Sequence, residues 1–480
     1  MRCVPGLWTG ERLIRPILMD SVEVSAARLE ACMDACACTR PAEGQPEPAE
    51  LCAVEGKYLA TEEELERALE TGPRCAVALG APLAAVPPWP DDPSTFAEKS
   101  WYAADPVFRE WWGRALSVDD LGASYKSPEQ VASLLIALHE AHPERTALHE
   151  LGRSHQGRPI LALRLTDPSI PQRAKPSVLL CGAHHGDELL TVEYAFDAID
   201  KVLENERWLS TLDVWVVPVV NPDGLWISTA IEHGGRGQTG GRKNGRDAPN
   251  LCGDRGARLG VDLNRNYPFA WRGPGGSAEP ASWNYAGPGP GSEPEVVAIM
   301  ELAEKRRFVA AVSWHTWGST VLSPYTIPGK RNPKPDIARQ VAEHITTRAF
   351  RVRTSLYPVS GTDQDWLYHE HGTLAYIVEG TVHNPAEASL RVEAVQAVWP
   401  VTERLLDRVA FGPRVSGFVP EGAAGQVMQV WIEGHLTFEG EHWTSRPDGR
   451  FDRLVPDWGT YTVHFEGGSR RTIAVREPAE

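Results

Sequence analysis

The run C-G-A-H-H-G-D-E, residues 181–188, carries the strongest local chemical signal in the chain. It follows a short apolar stretch, Ser177 to Cys181, that reads as a β-strand. His185 and Glu188 stand three residues apart where a strand end runs into a helix. A tight turn there aims an imidazole and a carboxylate at one point, two of the three protein ligands that a catalytic zinc needs. His184 competes for the ligand role, but Gly186 directly after His185 suits the turn better. H-x-x-E alone is a common pattern that fits a polar loop equally well. Its weight comes from two further residues: His315 follows the apolar run A-V-S-W, and Glu379 follows L-A-Y-I-V. His315 by itself would fit a hydrogen-bonded core histidine. If those strands are parallel, two histidines and two carboxylates meet at one sheet edge, where open α/β sheets place their sites. Two His and one Glu with an open water position form a hydrolytic zinc geometry, not a structural one.

The elements that must position these residues are legible in outline. Ser127 to His142 predicts a helix opened by Ser-Pro-Glu, and Glu188 to about Glu206 predicts another. Val214 to Val220 is apolar throughout, as a strand covered on both faces would be, and Phe308–Ser313 and Leu374–Val378 are similar. Strands alternating with helices predict an α/β domain with a mixed, mostly parallel sheet flanked by helices. From Val415 onward, short alternating strands separated by Gly, Pro and Asp predict a small antiparallel β-sandwich. Near the other end, Thr61 to Leu69 reads as a capped helix between loops rich in Pro, Ala and Asp. The resulting division is a Cys-rich segment over 1–118, a catalytic domain over 119–411 and a β-sandwich over 412–480.

Bulk properties exclude several functions. The 480 residues exceed one ordinary core, and a formal net charge of −16 argues against nucleic acid and anionic lipid as partners. No run approaches 18 consecutive apolar residues, and no signal peptide is visible at the start. Six of the eight cysteines, Cys3, Cys32, Cys36, Cys38, Cys52 and Cys75, cluster near the N-terminus, a pattern compatible with disulfides or with buried thiols. Cys32, Cys36 and Cys38 lack the usual spacing of a zinc knuckle.

Taken together, the residues from about Tyr125 to Phe411 resemble the metallocarboxypeptidases of the pancreatic carboxypeptidase A type. The resemblance implies one zinc per chain held by His185, Glu188 and His315, with Glu379 as general base. It implies that Arg242, in G-R-K-N, polarises the scissile carbonyl. Asn264 and Arg265, in G-V-D-L-N-R-N, would bind the substrate's terminal carboxylate, and Tyr357 would cap the bound substrate. Asn221-Pro222-Asp223-Gly224 matches the family's strand-end turn. The separations of 8 residues from Tyr357 to Asp365 and 14 from Asp365 to Glu379 also match.

Each assignment makes chemical sense. Zinc lowers the pKa of bound water towards ~7, and a carboxylate in reach of that water can carry its proton to the leaving amine. An arginine grips a carboxylate with two parallel N–H···O bonds that a lysine could not reproduce. Asp262 is placed to orient a ligating histidine. The implied substrates are peptide or protein C-termini. An amidase acting on cell-wall peptides, or a non-catalytic peptide- or glycan-binding relative, would use the same residues. The oligomeric state is not readable from the sequence.

The C-terminal part is similar to the transthyretin-like sandwich appended to many carboxypeptidases. The stretch C-A-V-E-G-K-Y-L-A-T-E-E-E-L-E-R-A-L resembles a fragment of the formylglycine-generating-enzyme fold, too short to carry that chemistry. The resemblance and the clustered cysteines favour an extracellular or periplasmic location.

The family's pattern places the side-chain pocket at Gln364, with Asp365 structural and Thr326 at the other selector position. Neither Gln364 nor Thr326 is charged, and Ile377 adds an apolar wall. A buried Lys or Arg there would lack a counter-charge and cost several kcal/mol. Peptides differing only in the last residue should therefore lose neutral residues faster than Lys or Arg. Measured release rates in the opposite order would overturn this pocket assignment.

Overall fold

Ser127 dictates where the first long helix begins. Its hydroxyl accepts the Gln130 N–H, Gln130 returns a bond to the Ser127 N–H, and Pro128 opens helix α1 (Pro128–Ala141). The computed structural model describes residues 125–171, 174–230, 241–246, 260–419, 443–465 and 468–477. It also describes the short strands Arg2–Cys3, Ala53–Val54, Lys57–Tyr58, Val77–Ala78, Met428–Ile432 and His435–Thr437. The helix expected at Thr61–Leu69 and the side chains of the N-terminal cysteines lie outside the described residues.

After α1 the chain forms β1 (Thr146–Arg153), β2 (Pro159–Leu165), β3 (Ser177–Cys181), α2 (Leu190–Leu203), α3 (Glu206–Thr211), β4 (Asp213–Val217) and α4 (Pro222–Ala230). There follow α5 (Pro294–Arg306), β5 (Ala310–His315), β6 (Thr320–Leu322), α6 (Ile337–Ile345), β7 (Arg351–Arg353), α7 (Asp363–His371), β8 (Leu374–Glu379) and α8 (Ala388–Phe411). The eight strands make one sheet in the order β7-β6-β8-β5-β3-β4-β2-β1. β8, β5, β3 and β4 run parallel, whereas β6 pairs antiparallel with β8, and β2 antiparallel with both β4 and β1. This is the mixed α/β architecture that the sequence pattern anticipates.

Alternation along the central strands feeds two cores. Val178, Leu180, Val214, Val216 and Val312 pack with residues of α1, α2, α6 and α8. Leu179, Trp215, Val217 and Ala311 pack on the other face with α5 and α7. Burial on both sides explains why these strands read as unbroken apolar runs. A buried ion pair, Lys126 to Glu193 at 2.5 Å, ties the entry of α1 to α2.

Three boundaries differ from expectation. β4 stops at Val217, not Val220, because Pro218 has no N–H to donate; the next bonds to the β3 side come from the Val220 and Asn221 N–H groups, to the Gly182 and Ala183 carbonyls. β5 is displaced towards its C-terminus, so His315 is its last residue and not the residue after it. The helix expected from Glu188 starts at Leu190: the Glu188 carbonyl accepts from the Thr191 hydroxyl at 2.6 Å, and Thr191 Oγ1 accepts the Ala183 N–H at 2.9 Å. Glu188 is thereby held in the turn itself.

The C-terminal strands pair antiparallel, as expected. β9 (Arg414–Phe418) pairs with β12 (Arg450–Leu454). β10 (Met428–Ile432), β11 (His435–Thr437), β13 (Gly459–Phe465) and β14 (Arg470–Val475) form a four-stranded sheet in the order β11-β10-β13-β14. Val415, Phe451, Tyr461 and Phe465 are continuous with the core beneath α8. Arg453 donates to the Gly372 carbonyl at 2.5 Å, and Arg408 to the Val455 carbonyl at 2.7 Å, across the same seam. No helix among the described residues is long and apolar enough to cross a membrane.

The turns after β3 and β4 interlock. Asn221 accepts the Gly224 N–H at 2.8 Å and donates to the His184 carbonyl at 3.3 Å. A Cβ on Gly186 would sit 2.1 Å from both Gly224 C and Leu225 N, backbone atoms that cannot step aside. Gly186→Ala should therefore destabilise the protein by about 1–3 kcal/mol. The check is a lowered urea midpoint; an unchanged midpoint would mean that the two turns do not pack this closely.

Candidate active site

Four parallel strands deliver the candidate residues to one edge. His184 and His185 follow β3, Asn221 follows β4, His315 ends β5 and Glu379 ends β8. The β5–β8 register places Glu379 directly beside His315. The sheet-edge convergence expected from the sequence is present.

His185, Glu188 and His315 come together, all three buried. His185 Nδ1 lies 2.8 Å from Glu188 Oε1, His315 Nδ1 lies 3.0 Å from Glu188 Oε2, and the two Nδ1 atoms are 3.2 Å apart. The opposite ring nitrogens face protein groups. His185 Nε2 meets Asp262 Oδ1 at 3.1 Å, and His315 Nε2 lies 3.2 Å from both Ser313 Oγ and Asn264 Nδ2. The Thr316 N–H donates to Glu188 Oε2 at 3.0 Å and fixes the carboxylate.

This donor set calls for a cation. Burial alone would raise the Glu188 carboxyl, but His185 and His315 outweigh burial and hold it well below the usual carboxylate range. Burial and Arg242 push the His185 imidazole down, yet Glu188 and Asp262 prevail and lift it to about 9. Two imidazole nitrogens and an anionic oxygen around one point, each backed by its own partner, fit a zinc ion with an open fourth position.

His184 is turned away from that point. Its Nε2 lies 3.0 Å from the Tyr267 hydroxyl and its Nδ1 3.1 Å from Ser313 Oγ. Burial presses it down to about 4, as befits a neutral core histidine. Asp262 binds His185 as expected and also takes the Arg242 fork, at 2.7 Å from Nη2 and 3.1 Å from Nε. Arg242 Nη1 reaches to 3.3 Å from His185 Nδ1. Glu379 stands partly exposed. Burial lifts its carboxyl to about 7, with His315 pulling down and Glu188 adding to the rise.

The residues assigned to substrate connect to the cluster through Asn264, whose Nδ2 lies 3.2 Å from His315 Nε2. Arg265 is buried and donates from Nη1 to the Asn264 carbonyl at 2.6 Å, from Nε to the Gly275 carbonyl at 3.2 Å and from Nη2 to the Tyr357 hydroxyl at 3.1 Å. The Tyr357 side is open to solvent, with 46% of the residue exposed. Asn264 accepts the Asp363 N–H at 2.9 Å. Gln364 is buried and accepts the Ile377 N–H at 3.1 Å. Thr326 donates its hydroxyl to Asp365 at 2.6 Å, so these two side chains satisfy each other.

The sequence reading missed several neighbours. Ser313 and Tyr267 join His184 and His315 into one hydrogen-bonded row, and Asp363 Oδ2 lies 3.9 Å from His184. Trp283 presents its ring 4.7 Å from the Arg242 guanidinium. The chain has 17 tryptophans, and nothing in the local sequence singles this one out. A second cluster of His155, Glu293 and Glu295 has metal-ligand composition. Arg246 and Asn244 already bind Glu293 at 2.8–2.9 Å, and Asn244 also binds Glu295, so the cluster reads as a structural network.

The model of the zinc carboxypeptidase family matches residues 131–393. The chain belongs to that family. Among its relatives, metallocarboxypeptidase A of Trichophyton tonsurans is 32% identical over 269 residues, covering 51% of this chain and 60% of the relative. Carboxypeptidase A6 of Mus musculus is 28% identical over 275 residues, covering 53% and 60%. The chain thus spans about 60% of the length of the curated relatives it matches. The fold is that of carboxypeptidase A from Helicoverpa armigera, with a TM-score of 0.52 at 21% identity over 65% of this chain and 81% of that one. Thrombin activatable fibrinolysis inhibitor shares it, with a TM-score of 0.51 at 22% identity over 76% and 92%.

Asp262 is the shared partner of the candidate ligand His185 and of Arg242. Asp262→Ala would strand that guanidinium and release the His185 ring, a loss of about 3 kcal/mol or more for a broken buried pair. Chemical denaturation of the variant measures it; wild-type stability would show that the pair contributes nothing.

Proposed function

We propose that this chain is a zinc-dependent carboxypeptidase that hydrolyses the C-terminal peptide bond of peptides and proteins. What carries the reading is the Nδ1–Nδ1–carboxylate convergence of His185, His315 and Glu188, with Glu379 one strand away. When bound by these three residues, a single zinc supplies Lewis-acid chemistry, polarising a carbonyl and lowering the pKa of water towards ~7.

The remaining steps belong to the protein's own side chains. Glu379, with a carboxyl near 7, takes a proton from the attacking water and returns it to the leaving amine. Arg242, oriented by Asp262, faces the charge that develops on the scissile oxygen. Arg265 and Asn264 receive the terminal carboxylate, which takes the place of the Tyr357 hydroxyl on Arg265, and Tyr357 closes over the bound residue. Gln364 and Ile377 line the side-chain pocket. The domain reading goes with this: a Cys-rich segment over 1–118, the catalytic domain over 119–411, and a transthyretin-like sandwich over 412–480 supported by its two antiparallel sheets.

Metal analysis of the purified protein should give a zinc ratio near one. His315→Ala should lose it, and full retention by that variant would sink the ligand assignment.

Glu379→Gln keeps the shape and loses the base, so turnover should fall on the order of 100-fold or more while peptide binding persists. The wild-type protein should also act on a free C-terminus and spare the amidated peptide, with chelator abolishing the difference. Equal cleavage of both forms would exclude a carboxypeptidase.

A further inference from the structure

At the seam between the catalytic layer and the C-terminal strands lies a small, partly enclosed space, remote from the strand-end site. It is bordered by Arg307, just after α5, His371 at the end of α7, and Thr444, Arg446, Arg450 and Asp452 from the C-terminal part. Its free volume of about 10 Å³ is room for one water-sized guest.

The polar groups around it are almost all donors. Among the described residues, Arg307 Nε, Arg446 Nε, His371 Nε2 and the Thr444 hydroxyl are buried without a hydrogen-bond partner. The His371 tautomer follows from its neighbour. Arg307 Nη1 lies 2.6 Å from His371 Nδ1, and a guanidinium only donates, so Nδ1 accepts and the ring proton sits on Nε2. Burial and the Arg307 charge keep the ring neutral down to about 3. Glu304 Oε1 is 3.8 Å from Nε2, beyond hydrogen-bond reach, and Glu304 is occupied by Arg307 Nη2 at 2.6 Å.

The acceptors nearby are also occupied. Asp452 takes two bonds from Arg450, each at 2.6 Å, and one from Ser416 at 2.7 Å. Asp448 pairs with Arg446 Nη2 at 2.7 Å. The Phe308 carbonyl accepts from Thr373, and the Gly372 carbonyl from Arg453. A water placed here would accept two bonds, and its own two hydrogens could go only to the Thr444 oxygen or to acceptors that already hold a bond. A guest that only accepts suits every group.

We propose that this space is a binding site for a monatomic anion of the chloride class, held by Arg307, His371, Thr444 and Arg446, which fastens the C-terminal strands to the catalytic domain. Each guanidinium already has a carboxylate partner, so the ion would be held by the unpartnered N–H and O–H donors, and the small volume excludes polyatomic anions. Binding only to the folded chain would raise stability with concentration and then saturate.

Crystals of the full chain grown in bromide test it directly: an anomalous peak within hydrogen-bond reach of Arg307 Nε and Arg446 Nε is expected. Density without anomalous signal would mean water and overturn the proposal. In solution, the Tm of the full chain should rise by about 2 °C on exchanging gluconate for chloride at constant ionic strength. Thr444→Val should lose most of that increment and keep its Tm in gluconate. Identical Tm values in the two salts, or an undiminished increment in Thr444→Val, would count against the site.

Discussion

The Asp262 carboxylate is the point on which the site's geometry turns. It accepts from His185 Nε2, from both reachable nitrogens of Arg242 and from the Asn264 N–H. One buried anion thereby fixes the tautomer of a candidate metal ligand, the aim of a candidate electrophile and the start of the turn that carries Arg265. Burial alone would raise its carboxyl, but Arg242, Arg265 and His185 hold it well below the usual carboxylate range. An ionised side chain so enclosed is stable only while its cations stay in place. The His185 side and the Arg265 side of the candidate site are therefore one electrostatic unit, not two neighbouring ones.

What was legible in the sequence was whatever depends on strand periodicity. His185, Glu188, His315 and Glu379 could be grouped because each follows an apolar run, and parallel pairing brings such run ends together. The preference for His185 over His184 followed from Gly186, and the interlock with Gly224 gives the reason for it: no other residue fits between those turns. The exact ends were not legible. Pro218 shortened β4, and Thr191 moved the start of α2, both through local bonds that an apolar pattern does not encode.

Partners supplied from far along the chain were also hidden. Ser313 reads as one more strand residue until His184, 129 positions away, is placed against it. Trp283 lies in an irregular loop, and its stacking on Arg242 depends on how residues 260–293 fold back over the sheet edge. Gln364 was assigned to a pocket by pattern, but the Ile377 N–H claims its carbonyl, so only the amide nitrogen faces elsewhere. Sequence spacing gives the position of such a side chain. It does not say which of its atoms remain available.

The register of β5 against β8 has a consequence for motion. Glu379 and His315 are neighbours across a parallel ladder, so their separation follows the spacing between strands, about 4.8 Å. Strands buried on both faces open only with the whole domain, on the slowest timescale the protein has. Tyr357 belongs instead to a surface segment with half its residue in water, where side chains rearrange in nanoseconds to microseconds. The floor of the site and its rim thus keep different clocks, and many excursions of the rim pass while the floor stands still.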